Sequence, residues 1–233
     1  MKIKILADGV AVAEAAAAVI AAEARAAVEA RSRFIVAFSG GRTPWRMLTF
    51  LAGTDMPWNR VHVAQVDERV APVGDPVRNL TQLRKCLIEH APLPRTHLYP
   101  MPVESPDLRA AAVQYALTLQ AIAGVPAILD LIHLGLGTDG HTASLFPGNS
   151  VLHIADRDVA VTERYQGTQR MTLTYPIINR ARSVLWVVTG SEKAEMLARL
   201  CAGDASIPAG MVRRDDALVI ADREAAAQLN PNV

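Results

Sequence analysis

Short runs that stay apolar on successive residues, without the alternation of a half-exposed strand, constrain this chain most. Residues 34–38 and 184–189 are the clearest, and 130–135 reads as another buried strand. Strands of that kind are covered on both faces, as in a parallel sheet clothed by helices. Helix-like stretches separate them. The surest is the Ala-rich run 10–30, since Ala is the best helix former. Others span 44–51, with Pro44 in the first turn, 79–90, 107–123 and 191–200, with Ser191 as the candidate N-cap. Further strands are read at 2–6, 61–66, 96–101, 159–162, 171–174 and 217–221, and a last helix at 222–229. The pattern predicts an α/β fold: a single doubly wound domain over residues 1–233, with a mostly parallel sheet covered by helices on both faces. The proline-punctuated stretch 92–106 is read as a connection inside it.

Composition excludes several classes. A hydrophobic fraction of 51% with 20% charged residues does not describe a disordered chain. Lys and Arg number 24 against 23 Asp and Glu, for a net charge of +1. The pI of about 7.9 and 5% aromatics give no footprint for nucleic acid. Cys86 and Cys201 form no C-x-x-C pair, so neither a disulfide framework nor a structural zinc site is expected, and a reducing cytoplasm suits them. Lys2 and Lys4 precede an apolar stretch, but Asp8 and Glu14 interrupt it, against a signal peptide. The longest uncharged run, 110–129, carries Gln114, Gln120 and a Gly124-x-Pro126 breaker, which a membrane span would avoid. The expectation is a cytoplasmic protein with a small-molecule substrate, no nucleic-acid or membrane partner, and a monomeric state rather than an oligomer.

In open parallel sheets, ligands bind at the carboxyl ends of strands. Four polar or glycine-rich segments fall at such ends: Ser39-Gly40-Gly41-Arg42-Thr43, Asp67-Glu68-Arg69, Gly135-x-Gly137-x-Asp139-Gly140-His141 and Thr189-Gly190-Ser191-Glu192-Lys193. The first lets backbone approach a ligand just before Pro44 opens a helix, whose unpaired N–H groups favour an anion. Arg42 adds a charge there or faces solvent. The spacing is not that of a nucleotide P-loop. The third matches G-x-G-x-x-G, but no acidic residue ends a following strand about 20 positions on. Asp139 and His141 fit catalysis better, because an unperturbed imidazole titrates nearest neutrality. His62, His90, His97, His133 and His153 are read as structural, His133 as a satisfied core histidine. The 67–69 cluster is either a solvated charge group or part of the site. Lys193 opposes its helix dipole, which hints at an anionic ligand. Arg170 starts a strand.

The blocks Phe38-Ser-Gly-Gly-Arg-Thr-Pro44, Val66-Asp-Glu-Arg-Val70, Leu134-Gly-Leu-Gly-Thr-Asp-Gly-His-Thr-Ala-Ser-Leu-Phe-Pro-Gly148, Arg170-Met-Thr-Leu-Thr174 and Gly190-x-x-Lys193 resemble the 6-phosphogluconolactonase family, in the same order, over residues 10–228. Two departures are visible: Arg42 stands where the family usually has serine, and Arg78-Asn79-Leu80 replaces the common Ser-Asn-Tyr. The resemblance implies hydrolysis of 6-phospho-D-glucono-1,5-lactone, with His141 as general base for the attacking water and Asp139 orienting the imidazole or the substrate. It implies substrate binding by Ser39, Gly40, Gly41, Arg42, Thr43, Asp67, Arg69, Arg170 and Lys193, with no cofactor and no metal. The superfamily relative glucosamine-6-phosphate deaminase typically carries Ala-Phe-Asn-Glu-Pro after the histidine. Here that run is Ala143-Ser-Leu-Phe-Pro147, without the glutamate. A deaminase-type isomerase and a non-catalytic sugar-phosphate binding protein are the alternatives.

Overall fold

The computed structural model describes residues 1–230; the expectation of one domain over 1–233 therefore includes three residues outside it. Ten strands are seen among the described residues: β1 (Lys2–Leu6), β2 (Phe34–Phe38), β3 (Val61–Gln65), β4 (Asp67–Arg69), β5 (Leu98–Tyr99), β6 (Leu131–Leu134), β7 (Val159–Val161), β8 (Arg170–Leu173), β9 (Ser183–Val188) and β10 (Ala217–Asp222). The α-helices are α1 (Gly9–Arg31), α2 (Arg42–Ala52), α3 (Asn79–Leu83), α4 (Leu108–Ala123), α5 (Tyr175–Arg180) and α6 (Ala194–Ala202).

Seven strands form a sheet in the order β1-β10-β9-β6-β2-β3-β5, every pair parallel. Apolar character on both sides of its strands is what two covered faces require. Phe34, Val36 and Phe38 of β2 pack with α1 and α2, while Ile35 and Ala37 pack against the opposite layer with α4. β9 alternates likewise, Leu185 and Val187 to one layer and Val184, Trp186 and Val188 to the other. Burying a Val, Leu, Ile or Phe side chain in this way contributes about 1.5–3 kcal/mol. Asp8 caps α1 by accepting from the N–H groups of Val10 and Ala11 at 2.9 and 3.0 Å.

The strand order places the site. β2 and β6 are neighbours at the sheet centre; from β2 the chain winds outward to β3 and β5, and from β6 it winds the other way to β9 and β10. The loops after β2 and β6 therefore part company at their carboxyl ends and leave a crevice, as at any topological switch point.

The doubly wound, mostly parallel fold is as the sequence predicts, with additions and corrections. Asp67-Glu68-Arg69 is a strand itself: β4 pairs antiparallel with β8, and β8 with β7, in a second, three-stranded sheet. In that register Arg69 lies directly opposite Arg170. Ser191 is not an N-cap; residues 191–193 form a single 3-10 turn without a side-chain cap, and α6 starts only at Ala194. The turn is fixed from elsewhere, by Gly190 N–H donating to the Asp222 carboxylate at 3.1 Å. The helix read at 222–229 is not formed: Asp222 still belongs to β10, and residues 223–228 make only turns, with the Asp222 carboxylate accepting the Ala225 N–H at 2.8 Å. The helix at 79–90 continues from α3 into a wider π-helical turn over Arg84–Ile88.

Candidate active site

Asp139 and His141 sit on the tight loop after β6. His141 Nδ1 lies 2.5 Å from Asp139 Oδ1, which also accepts the His141 backbone N–H at 3.1 Å. A carboxylate only accepts, so Nδ1 carries the proton in this pair and Nε2 is left as the basic nitrogen. The loop closes with Gly137 N–H donating to His141 C=O at 2.8 Å. Gly137 must lack a side chain: a Cβ there would overlap the imidazole and lie 2.6 Å from Asp139 Oδ1.

Burial holds the His141 imidazole below its usual value; Asp139 and Asp67 pull it upward, less strongly, and Arg170 adds to the depression. Asp139 is also lowered: burial raises it, but the His141 N–H, the imidazole and the Tyr165 hydroxyl together overcome that. The pair is thus set as carboxylate and neutral imidazole near neutral pH.

A cavity of about 200 Å³ opens in front of the dyad, and most of the sequence-derived residues meet there. Ser39, Gly40, Gly41, Asp67, Arg69, Arg170 and Lys193 line it with His141. Asp139 stands behind the imidazole rather than in the wall. A neighbouring cleft of about 470 Å³ shares Gly40, Gly41 and Lys193 with it and takes Arg42 and Thr43. Arg42 is exposed, and Thr43 Oγ1 bonds Thr189 Oγ1 at 2.6 Å. Those two residues therefore face the outer cleft, not the dyad.

The walls are anchored from several elements. Ser39 Oγ donates to the His133 carbonyl at 3.0 Å and its N–H to His133 Nδ1 at 3.3 Å, so the buried His133 steadies the loop after β2. His133 is a core residue as read, but Nε2 has no partner, so it is only half satisfied. Asp67 accepts from Asn79 Nδ2 at 3.0 Å and from Ser144 Oγ at 2.7 Å. Glu68, wholly buried, accepts from Gln65 Nε2 and from the N–H groups of Arg69, Asn79 and Leu80. It holds β4 to the start of α3.

Arg69 and Arg170 each keep a buried Nε without a partner. Among the described residues neither they nor Lys193 form an ion pair within 4.0 Å. Burial lowers Arg170, and the charge of Arg69 lowers it further. Burial lowers Lys193 as well, opposed by Glu192 and Asp139 and reinforced by Arg42. Three cations without carboxylate partners around one cavity are an anion site by charge and by donor count. Among the described residues no group of three or more His, Cys, Asp and Glu side chains is placed to hold a metal ion, and no helix is long and apolar enough to cross a membrane.

Sequence reasoning missed Asn79, Ser144 and Tyr165. Tyr165 donates to Asp139 Oδ2 at 2.9 Å and stacks on Phe146 with ring centroids 3.8 Å apart. The only signal was Tyr165-Gln-Gly-Thr168, a two-residue turn between the runs at 159–162 and 171–174.

Residues 7–220 match the family described as glucosamine-6-phosphate isomerases/6-phosphogluconolactonase. The chain is 36% identical over 213 residues to a 6-phosphogluconolactonase of Synechocystis, covering 88% of each chain. It is 38% identical over 218 residues to that of Mycobacterium tuberculosis, again covering 88% of each. The crystal structure of 6-phosphogluconolactonase from Thermotoga maritima superimposes with a TM-score of 0.85 at 27% identity, over 95% of this chain and 98% of that one.

Proposed function

The chain belongs to the glucosamine-6-phosphate isomerase/6-phosphogluconolactonase family, and from that premise we infer that it hydrolyses 6-phospho-D-glucono-1,5-lactone to 6-phosphogluconate. The observation that carries the reading is the Asp139–His141 dyad, with Nδ1 paired to the carboxylate and His141 in the wall of a cavity lined by cations that form no ion pair among the described residues. A lactone is an activated ester, so water is a sufficient nucleophile once a base takes its proton. His141 Nε2 removes that proton as the oxygen attacks C1, and Asp139 stabilises the imidazolium that forms. The carbonyl oxygen gains negative charge as the tetrahedral intermediate develops. Arg170, the cation nearest His141 in effect, meets it. When the intermediate collapses, the ring oxygen leaves and takes a proton back from His141.

The phosphate, carrying about −1.5 to −2 charge at pH 7, is held by Lys193, Arg69 and the N–H groups of the Ser39–Thr43 loop at the start of α2, with Arg42 beyond it. Asp67, fixed at both oxygens, offers an acceptor edge to a sugar hydroxyl. The segment after His141 offers no carboxylate: Leu145 and Phe146 are both buried there. A deaminase-type ring opening therefore lacks its acid at that place. The free thiols of Cys86 and Cys201 suit a reducing cytoplasm.

The test is turnover of freshly made lactone, coupled to 6-phosphogluconate dehydrogenase, with spontaneous hydrolysis subtracted. Wild-type protein turns over, and His141→Asn, which keeps hydrogen bonding but cannot take the proton, loses about 10²–10⁴ in kcat. Binding of 6-phosphogluconate survives. A His141→Asn protein within a few-fold of wild type would reject the base assignment.

A further inference from the structure

The hairpin between β7 and β8 bears on the dyad in a way the family resemblance does not supply. Tyr165 N–H donates to Thr168 C=O at 3.0 Å and Thr168 N–H to Tyr165 C=O at 3.2 Å, closing a two-residue turn. Its central residues, Gln166 and Gly167, have φ of 49° and 79°. Positive φ at both is the type I′ arrangement, whose twist matches its strands and makes a stiff turn. Arg164 Nη1 adds a bond to the Gly167 carbonyl at 3.1 Å. The turn thus presents the Tyr165 ring at one place, parallel to Phe146 within 10°. Phe146 itself is buried and touches the ring of His141, at 4.6 Å between centroids, and the guanidinium of Arg170, at 4.7 Å. From this seat the phenol reaches Asp139 Oδ2.

We propose that Tyr165 is a positioning residue for the hydrolysis: by donating to Asp139 Oδ2 it holds the carboxylate in place against His141 Nδ1, and so keeps the imidazole oriented with Nε2 free for the proton of water. A carboxylate on a short side chain can turn about its last bond. With Oδ2 tied to the phenol, only Oδ1 is left for the His141 N–H and for Nδ1, as observed. The tether also draws charge from the carboxylate, so Asp139 pulls less on the imidazole proton. The charged groups facing this assembly are Asp67 on β4 and Arg170 on β8, both acting on His141. Lys193, before α6, acts with Asp139, and Arg170 also faces Tyr165. None is removed when the hydroxyl is deleted, so the change in Asp139 decides the sign. Without the phenol, Asp139 holds the imidazolium better and the His141 titration moves upward.

This inference rests on His141 as the base, and the experiment separates the two. Tyr165→Phe keeps the stack on Phe146 and removes only the hydroxyl. Its kcat should fall about tenfold with KM within about twofold, the size expected within one hydrogen-bond network. The His141 imidazole, followed by NMR without substrate, should titrate at higher pH than in the wild type. In an Asp139→Ala background the same substitution should cost nothing further, since the tether has lost its acceptor. An unchanged kcat with an unchanged His141 titration overturns the proposal. So does a tenfold loss that persists in the Asp139→Ala background, which is what a merely structural tyrosine would give. The NMR shift reads the tether even if the base assignment fails; active His141→Asn with a shifted Tyr165→Phe titration would remove the catalytic role and keep the contact.

Discussion

Alanine at Gly137 is the sharpest perturbation available, because it adds one methyl and nothing else. The φ of Gly137 is not in the left-handed region, so the backbone accepts alanine. The methyl is what fails to fit. Its carbon would lie 2.6 Å from Asp139 Oδ1, where ordinary contact begins at 3.4 Å, and nearer still to the imidazole. The carboxylate must retreat by about 0.8 Å and the ring by more. Neither can move alone, since the two are bonded at 2.5 Å and the ring also rests on Phe146. A misplacement of about 1 Å at reacting groups costs about 10² in rate. Stability should fall by about 1–3 kcal/mol, the usual cost of forcing an extra methyl into a filled space. The expected Gly137→Ala protein therefore folds but melts several degrees below wild type, binds 6-phosphogluconate with little change, and hydrolyses lactone about 10²-fold more slowly. The assay is kcat by the coupled method beside a thermal melt. Near-normal kcat in a folded Gly137→Ala protein would refute the placement of the base, since the geometry leaves no room for both methyl and imidazole.

The pH dependence has a definite sign. A base must be neutral, and burial holds His141 below the 6.5 of an unperturbed imidazole, so the neutral form persists into mildly acid solution. The ligand-free imidazole should titrate by NMR below 6.5, and a bound phosphate dianion should move it up; a free midpoint at or above 6.5 contradicts this. Lys193→Ala and Arg69→Ala should each raise KM more than they lower kcat, by the roughly 1.5–3 kcal/mol of a charge-assisted bond, and inorganic phosphate should inhibit both less. An unchanged KM in both would show that other groups hold the phosphate, with Arg42 first among them.

What the sequence discloses and what it hides follow from distance along the chain. β2, β6 and β9 are legible because being buried on both faces writes itself into consecutive residues. The dyad is legible because Asp139 and His141 are two positions apart on one loop. The second sheet is not: β4 is three charged or polar residues, and nothing local distinguishes Asp67-Glu68-Arg69 from a solvated cluster. Its identity as a strand comes from β8, about a hundred residues later. Glu68 looks like its neighbours on paper, yet it is fully buried because donors from α3 and Gln65 come to it. Tyr165 was hidden for the same reason, since its contact with Asp139 spans 26 positions. The helix expected at 222–229 fails for a like reason, since Asp222 belongs to β10 and pairs there with Leu6 from the other end of the chain.

The facing of Arg69 and Arg170 across the antiparallel ladder has a bearing on how this chain can be improved. Like charges directly opposite each other in a sheet are unfavourable, and here both are partly sheltered from water. The ligand-free protein thus holds a repulsion that an arriving dianion relieves. A selection for heat resistance alone, blind to turnover, would tend to discard one of the pair and enrich stabilised proteins that have lost their grip on phosphate. A screen that keeps sugar phosphate present throughout would reverse that bias, because the ligand then rewards the same two charges that the empty fold resists.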